Sequence, residues 1–164
     1  MTAEKFKQEY FSLHPKLYRI AFAILRNAED AEDIIQELYC KLWDSIEKFS
    51  EVQKPEAYCV ILVKNMCMDL LRSSKVNQTN LNIDDYDFPD SSTNAEDDID
   101  NKEAIKKIKY IMNSLPEKQQ RILSLRGFGG CTFEEIEEIT GESAVNIRVL
   151  LSRARNTLRI NLIR

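Results

Sequence analysis

TFEEIEEITGESAVNIRVLLSRARNTLR, residues Thr132 to Arg159, has the pattern of two helices joined by a tight turn. Thr132 followed three residues later by Glu135 is a capping box, in which hydroxyl and carboxylate each satisfy a backbone N–H left over at a helix start. Phe133, Ile136 and Ile139 recur at helical spacing and form the buried side of a short helix. Gly141 ends it, because glycine enters the left-handed region without a Cβ penalty. Ser143 then caps a second helix, whose apolar positions Ile147, Leu151, Ala154, Leu158 and Leu162 share one face.

The other face of that second helix is basic. From Ser143 onward the chain carries Arg148, Arg153, Arg155, Arg159 and Arg164 and no acid. Arginine's planar fork matches both phosphate and the guanine edge. On charge alone a solvated basic face would look the same. The capped helix and short turn ahead of it add helix-turn-helix geometry, which delivers the second helix into the major groove N-terminus first. Ser143, Asn146, Arg148, Val149, Ser152 and Arg153 are then candidate base readers, with Thr132 a further candidate contact at the start of the preceding helix.

Working backward, Gly127, Gly129 and Gly130 form a turn leading into Thr132. Before it, Ser114, Pro116 and Glu117 start a helix, PEKQQRILSLRGF, with Ile122, Leu123 and Leu125 apolar. Ile105, Ile108, Ile111 and Met112 mark one more. Residues 102–164 therefore read as a bundle of about four helices with twelve basic and seven acidic residues.

The whole chain has a net charge of −4, which suits a nucleic-acid binder poorly until it is divided. Residues 73–101 hold one basic and eight acidic residues, against ten and twelve in residues 1–72. The segment 74–101 is rich in Ser, Asn and Asp and poor in large apolar residues. It buries too little surface to offset the entropy of ordering, and reads as a flexible acidic linker, on composition a passive tether. It separates two small domains, 1–73 and 102–164, and the expected fold class is all-α.

In residues 1–73, Phe6, Tyr10, Leu13, Leu17, Ile20 and Ile24 keep a three-four rhythm over 4–26, with Pro15 imposing a kink or a short break. Asn27 caps the next helix, and Glu29, Asp30, Glu32 and Asp33 crowd its first turns, where the helix dipole favours anions. Its buried side is Ala31, Ile34, Ile35, Leu38, Leu42 and Ile46. Asp33, Gln36, Glu37 and Lys41 are left outside, as solvated surface or docking site. A loop, EKFSEVQKP, leads to Pro55 and a strongly apolar helix ending near Arg72. There Cys59, Leu62, Val63, Met66 and Leu70 face inward, and Ile61, Asn65, Met68, Asp69 and Arg72 share another side. Asn65 and Asp69, one turn apart, either bond each other or are presented to a ligand.

Several classes fall away. No apolar run approaches the roughly 20 residues of a membrane span, and MTAEKFKQEY is unlike a signal peptide, so a cytoplasmic protein is expected. Cys40, Cys59, Cys67 and Cys131 contain no C-x-x-C pair and His14 is the only histidine, so neither metal site nor disulfide framework is suggested, and the cysteines read as small buried hydrophobes. No activated nucleophile, paired acid and base or Gly-rich phosphate loop points to catalysis, a cofactor or a small-molecule substrate.

Three blocks, LYRIAFAILRNAEDAEDIIQELYCKLW, KPEAYCVILVKNMCMDLLR and LPEKQQRILSLRGFGGCTFEEIEEITGESAVNIRVLLSRARNTLR, together resemble the extracytoplasmic-function (ECF) group of bacterial RNA polymerase sigma factors, in that family's order and spacing. The resemblance implies a dissociable specificity subunit whose partners are RNA polymerase core, promoter DNA and an anti-sigma factor. It implies that Asp33, Gln36 and Glu37, matching D-x-x-Q-E, dock on the largest polymerase subunit. Lys64, Asn65, Asp69 and Arg72 match the helix lying on promoter DNA near the melting point. The loop from Phe49 to Pro55, with Lys54 and the neighbouring Tyr58, resembles the one that holds a flipped base of the minus-10 element. The last helix is implied to read the minus-35 element. An acidic linker in this family threads polymerase channels, an alternative to the passive tether.

Three positions depart from the family pattern. Tyr58 stands where Trp is usual, Glu137 replaces a small residue at the packing point of the two helices, and Glu142 replaces an aliphatic residue in the turn. The last two are expected to affect the helix crossing. Val149 and Leu150 are less polar than is common, which favours methyl contacts and shape in base preference. Set against the sigma reading is a stand-alone helix-turn-helix regulator, which would bind a palindrome tightly without polymerase.

Overall fold

The computed structural model describes residues 2–49, 51–73 and 95–163, with the side chains of 95–101 excepted. The described residues are helical and contain no strand: α1 (Ala3–Tyr10), α2 (His14–Leu25), α3 (Ala28–Asp44), α4 (Ile46–Phe49), α5 (Pro55–Ser73), α6 (Ala95–Ser114), α7 (Glu117–Gly127), α8 (Phe133–Thr140) and α9 (Ala144–Ile163). The chain divides into two compact units, residues 1–81 and 82–164.

The first unit is built around α2. From Ile20 to Leu25 every residue is buried, so the C-terminal half of this helix is apolar and covered on all sides. α3 and α5 pack against it, and α1 also reaches α5. Pro15 falls in the first turn of α2, where its missing N–H costs nothing, and the break it imposes is a single 3-10 turn over Phe11–Leu13. Arg26 takes a left-handed conformation (φ 54°), and Asn27 caps α3 by accepting from Asp30 N–H at 3.0 Å. Ala31, Ile34, Ile35, Leu38 and Leu42 are buried as their spacing requires.

Three inward assignments need correction. In α5 the buried residues are Cys59, Val63, Cys67 and Met68, with Leu62, Met66 and Leu70 half-buried. The seam therefore runs over 59, 63, 67 and 68, and Met68 sits on the core side of its turn. Cys40 is exposed, unlike the other three cysteines. In α9, Ile147, Leu151 and Ala154 are buried, but Leu162 is 43% exposed, beyond the last turn that neighbouring helices cover.

Part of the expected loop before Pro55 is the helical turn α4. Tyr10 hydroxyl donates to the Phe49 carbonyl at 3.3 Å, and Tyr39 hydroxyl donates to the Tyr10 carbonyl at 3.2 Å. The Phe49 and Tyr58 rings lie 5.1 Å apart. Two phenols thus connect α3, α1 and the last residue of α4. Burial raises both hydroxyls, Tyr39 to about 12, and it raises the Cys59 thiol to about 11.

In the second unit α6 begins at Ala95, so residues 95–101, read as linker from their composition, are helical in backbone. Low hydrophobicity argues against burial, not against helix, and acids are favoured near a helix N-terminus. The rest of the expected linker, 74–94, lies outside the described residues, as do Ser50 and Arg164. α9 packs against α6, α7 and α8. Its buried residues Ile147, Leu151 and Ala154, with the buried Met112, Ile122, Leu125, Cys131 and Ile136, make the apolar centre of this unit. At roughly 1.5–3 kcal/mol for each large apolar side chain fully buried, that centre supplies much of the unit's stability.

Candidate nucleic-acid interface

The turn between α8 and α9 is held by local bonds at both ends. Glu135 N–H donates to Thr132 Oγ1 at 3.1 Å and Thr132 N–H donates to Glu135 Oε1 at 2.9 Å, completing the capping box. Gly141 closes α8 with φ 76°, its N–H 2.8 Å from the Glu137 carbonyl. Asn146 N–H donates to Ser143 Oγ at 3.2 Å, capping α9. Thr132 and Ser143 therefore each spend one acceptor lone pair on the backbone and keep the O–H to donate, which suits phosphate contacts more than base reading.

Arg148, Val149, Ser152 and Arg153 are exposed on α9 and share one face by helical spacing; Asn146 lies on its flank, half-buried. The structure adds Val145, 70% exposed, to this face. An apolar residue one turn ahead of Arg148, opposite Ile147 and Leu151, was the available signal. Arg148 lies with its guanidinium 5.6 Å from the Phe133 ring centre, and Arg126 lies 5.0 Å from the same ring while donating to the Cys131 carbonyl at 2.8 Å. One ring thus orients a cation of this face.

Of the two acids that depart from the family pattern, Glu142 has side-chain partners on both oxygens. Glu137 is half-buried, and only its backbone carbonyl, which any residue would supply, takes part in closing α8. Glu142 meets Lys118 Nζ of α7 at 3.0 Å and accepts a hydrogen bond from Asn146 Nδ2.

In the first unit, Asp33, Gln36 and Glu37 are exposed together on α3. Glu37 pairs with Lys41 at 3.4 Å, a separation worth only a few tenths of a kcal/mol on a helix surface, so it leaves that carboxylate available. Exposed Cys40 falls between these side chains by helical spacing. Trp43, 47% exposed, lies on the same helix with its ring 5.2 Å from Phe6.

On α5, Tyr58, Asn65, Asp69 and Arg72 follow one face, continued N-terminally by exposed Lys54, whose carbonyl accepts from Tyr58 N–H at 3.1 Å. Ile61, 58% exposed, belongs to the same face. Lys64 does not: it sits about a quarter turn round the helix. Asp69 is paired with Arg72 at 3.4 Å, between residues three apart.

Residues 10–76 match the family model Sigma-70 region 2, and residues 105–158 match Sigma-70, region 4. RNA polymerase sigma factor SigV of Bacillus subtilis is 32% identical over 148 residues, covering 88% of this chain and 83% of the relative. ECF RNA polymerase sigma factor SigW of the same organism is 23% identical over 153 residues, covering 88% and 81%. ECF RNA polymerase sigma factor SigE of Mycolicibacterium smegmatis is 24% identical, and there the chain spans 56% of the relative. A solved structure of the sigma factor RpoE in complex with the anti-sigma factor NepR from Bartonella quintana aligns over 98% of both chains, at a TM-score of 0.47 and 22% identity.

Two units of α-helices, one carrying region 2 and the other region 4, define a sigma-type initiation factor. The chain belongs to the sigma-70 family, in its ECF group. It is an alternative sigma factor directing transcription initiation, not a free-standing helix-turn-helix regulator. Sigma factors are in general non-enzymatic. No described helix is long and apolar enough to cross a membrane.

Proposed function

We propose that the labour is divided among three surfaces within domains 1–73 and 102–164. Asp33, Gln36 and Glu37 dock RNA polymerase core. Lys54, Tyr58, Asn65, Asp69 and Arg72 engage the minus-10 element and favour its melted form, with Lys64 reaching it from the flank of α5. Thr132, Ser143, Asn146, Arg148, Val149, Ser152 and Arg153 hold the minus-35 element, the hydroxyls on phosphate and the rest on base edges. Catalysis of the chain's own is not required, and the work is done in the cytoplasm, with no insertion into the membrane. An anti-sigma factor would compete for the same exposed faces.

The observation that carries this reading is the exposure of Asp33, Gln36 and Glu37 on one side of α3, while its opposite side supplies the core against α2. Weak sites on one chain act together, since binding one raises the effective concentration of the next. A protein of net charge −4 thereby reaches DNA through polymerase.

The test is a pull-down with purified core enzyme, followed by run-off transcription. The chain should bind core and direct specific starts, and an Asp33→Ala, Gln36→Ala, Glu37→Ala variant should lose both while keeping its melting temperature. Undiminished core binding by that variant would remove α3 as the docking face.

A further inference from the structure

Glu142 is an acid beside a surface meant for DNA, where a carboxylate repels phosphate. Both of its oxygens are engaged: Oε1 with Lys118 Nζ at 3.0 Å, and Oε2 with Asn146 Nδ2. Its side chain is only 19% exposed, and its own N–H donates to Thr140 Oγ1 at 3.2 Å. The hydrogen bonds from Lys118 and Asn146 hold the Glu142 carboxyl below its ordinary range, so it is ionised at neutral pH. Lys118 balances its charge. An ionised carboxylate accepts and cannot donate.

That chemistry determines which way Asn146 faces. An unrestrained asparagine amide offers either its oxygen or its NH2 to a partner. Here the nitrogen is held against a carboxylate, so the oxygen is the end turned away from Glu142. Asn146 stands on the flank of α9 shared with Val149 and Arg153. In the major groove adenine and cytosine present an exocyclic amine, whereas guanine and thymine present a carbonyl oxygen.

We propose that Glu142 is a positioning residue for promoter choice: by holding the Asn146 nitrogen it makes Asn146 present an acceptor, so that the base facing it is adenine or cytosine. The inference rests on α9 being the recognition helix. Lys118 serves the same arrangement from α7, anchoring the carboxylate at its other oxygen.

The experiment uses holoenzyme reconstituted from core and the full chain, with promoters whose upstream element is randomised. Wild type should enrich adenine or cytosine over guanine and thymine about tenfold at one position. Asn146→Ala should erase the preference at that position. Glu142→Gln keeps the shape, but its amide pairs with Asn146 in either orientation, so the preference there should fall to about twofold or less while other positions are unchanged. Glu142→Ala should relax the same position. A Glu142→Gln variant that keeps the preference, or that weakens every promoter alike, overturns the proposal while the recognition helix stands. If Asn146→Ala and Arg148→Ala both leave the whole upstream preference intact in an active holoenzyme, the recognition-helix reading fails as well.

Discussion

Replacing Gly141 by alanine isolates the torsional cost of the turn that joins α8 to α9. The residue sits at φ 76° and ψ 2°, and a Cβ placed on it meets no heavy atom within 4 Å. Steric repulsion therefore contributes nothing, and the 2.8 Å bond from its N–H to the Glu137 carbonyl survives in alanine. What remains is the left-handed backbone itself, about 1–2 kcal/mol for an L-residue. Against it, alanine narrows the unfolded ensemble, a gain of about 0.4–1 kcal/mol. The strain is the larger effect, and Gly141→Ala should destabilise the second unit by about 1 kcal/mol. Gly141→Asn, which tolerates this region better, should cost less. Native-state hydrogen exchange on the full chain separates the two units: protection in α7, α8 and α9 should fall about fivefold while α2 and α3 are unaffected. Protection that rises would mean the turn is not left-handed, and a loss above about 3 kcal/mol would mean that a Cβ does meet neighbouring atoms.

Tyr10→Phe keeps the ring that lies 5.0 Å from Phe6 but removes the hydroxyl that donates to the Phe49 carbonyl. It should cost about 0.5–1.5 kcal/mol in urea unfolding and reduce the yield of open promoter complex; an unchanged midpoint would show that the bond does no work. Alkali should weaken the first unit. Cys59 and Tyr39 are raised by burial, to about 11 and about 12, so as pH rises the unfolded chain releases these protons before the folded one does. Their contribution is complete below about pH 9 and is lost between about pH 9 and 12. The urea midpoint should fall over that range, and Cys59→Ala should remove the lower step; a midpoint that climbs with pH would contradict the assigned burial.

The helix-turn-helix was legible because its signals are local. A capping box, a terminal glycine and a three-four rhythm each act within a few residues, and Thr132, Gly141 and Ser143 do what their types predict. The error in α5 is of another kind. Periodicity alone offered two adjacent seams in an apolar helix, and Met68 falls inside because α2 and α3 lie on that side, which is tertiary information. Cys40 departs from its expected burial for the converse reason: cysteine is commonly buried, but position 40 lies on the side of α3 away from its buried residues. The bonds made by Glu142 were not legible either. One partner, Lys118, is 24 positions away in sequence, and no spacing rule relates them. The candidate site was readable where one helix carries it and unreadable where contact between helices arranges it.

On α9 the residues that hold the unit together and those that would meet DNA are different residues. Ile147, Leu151 and Ala154 secure the helix from behind. Val145, Val149, Ser152 and Arg153 project from the front, where surface substitutions usually change stability by no more than about 0.5 kcal/mol. Promoter preference can therefore drift, or be rewritten in the laboratory, with little threat to folding. Changes at Asn146 are the exception, because they release the carboxylate of Glu142 and so touch recognition and the scaffold in one step.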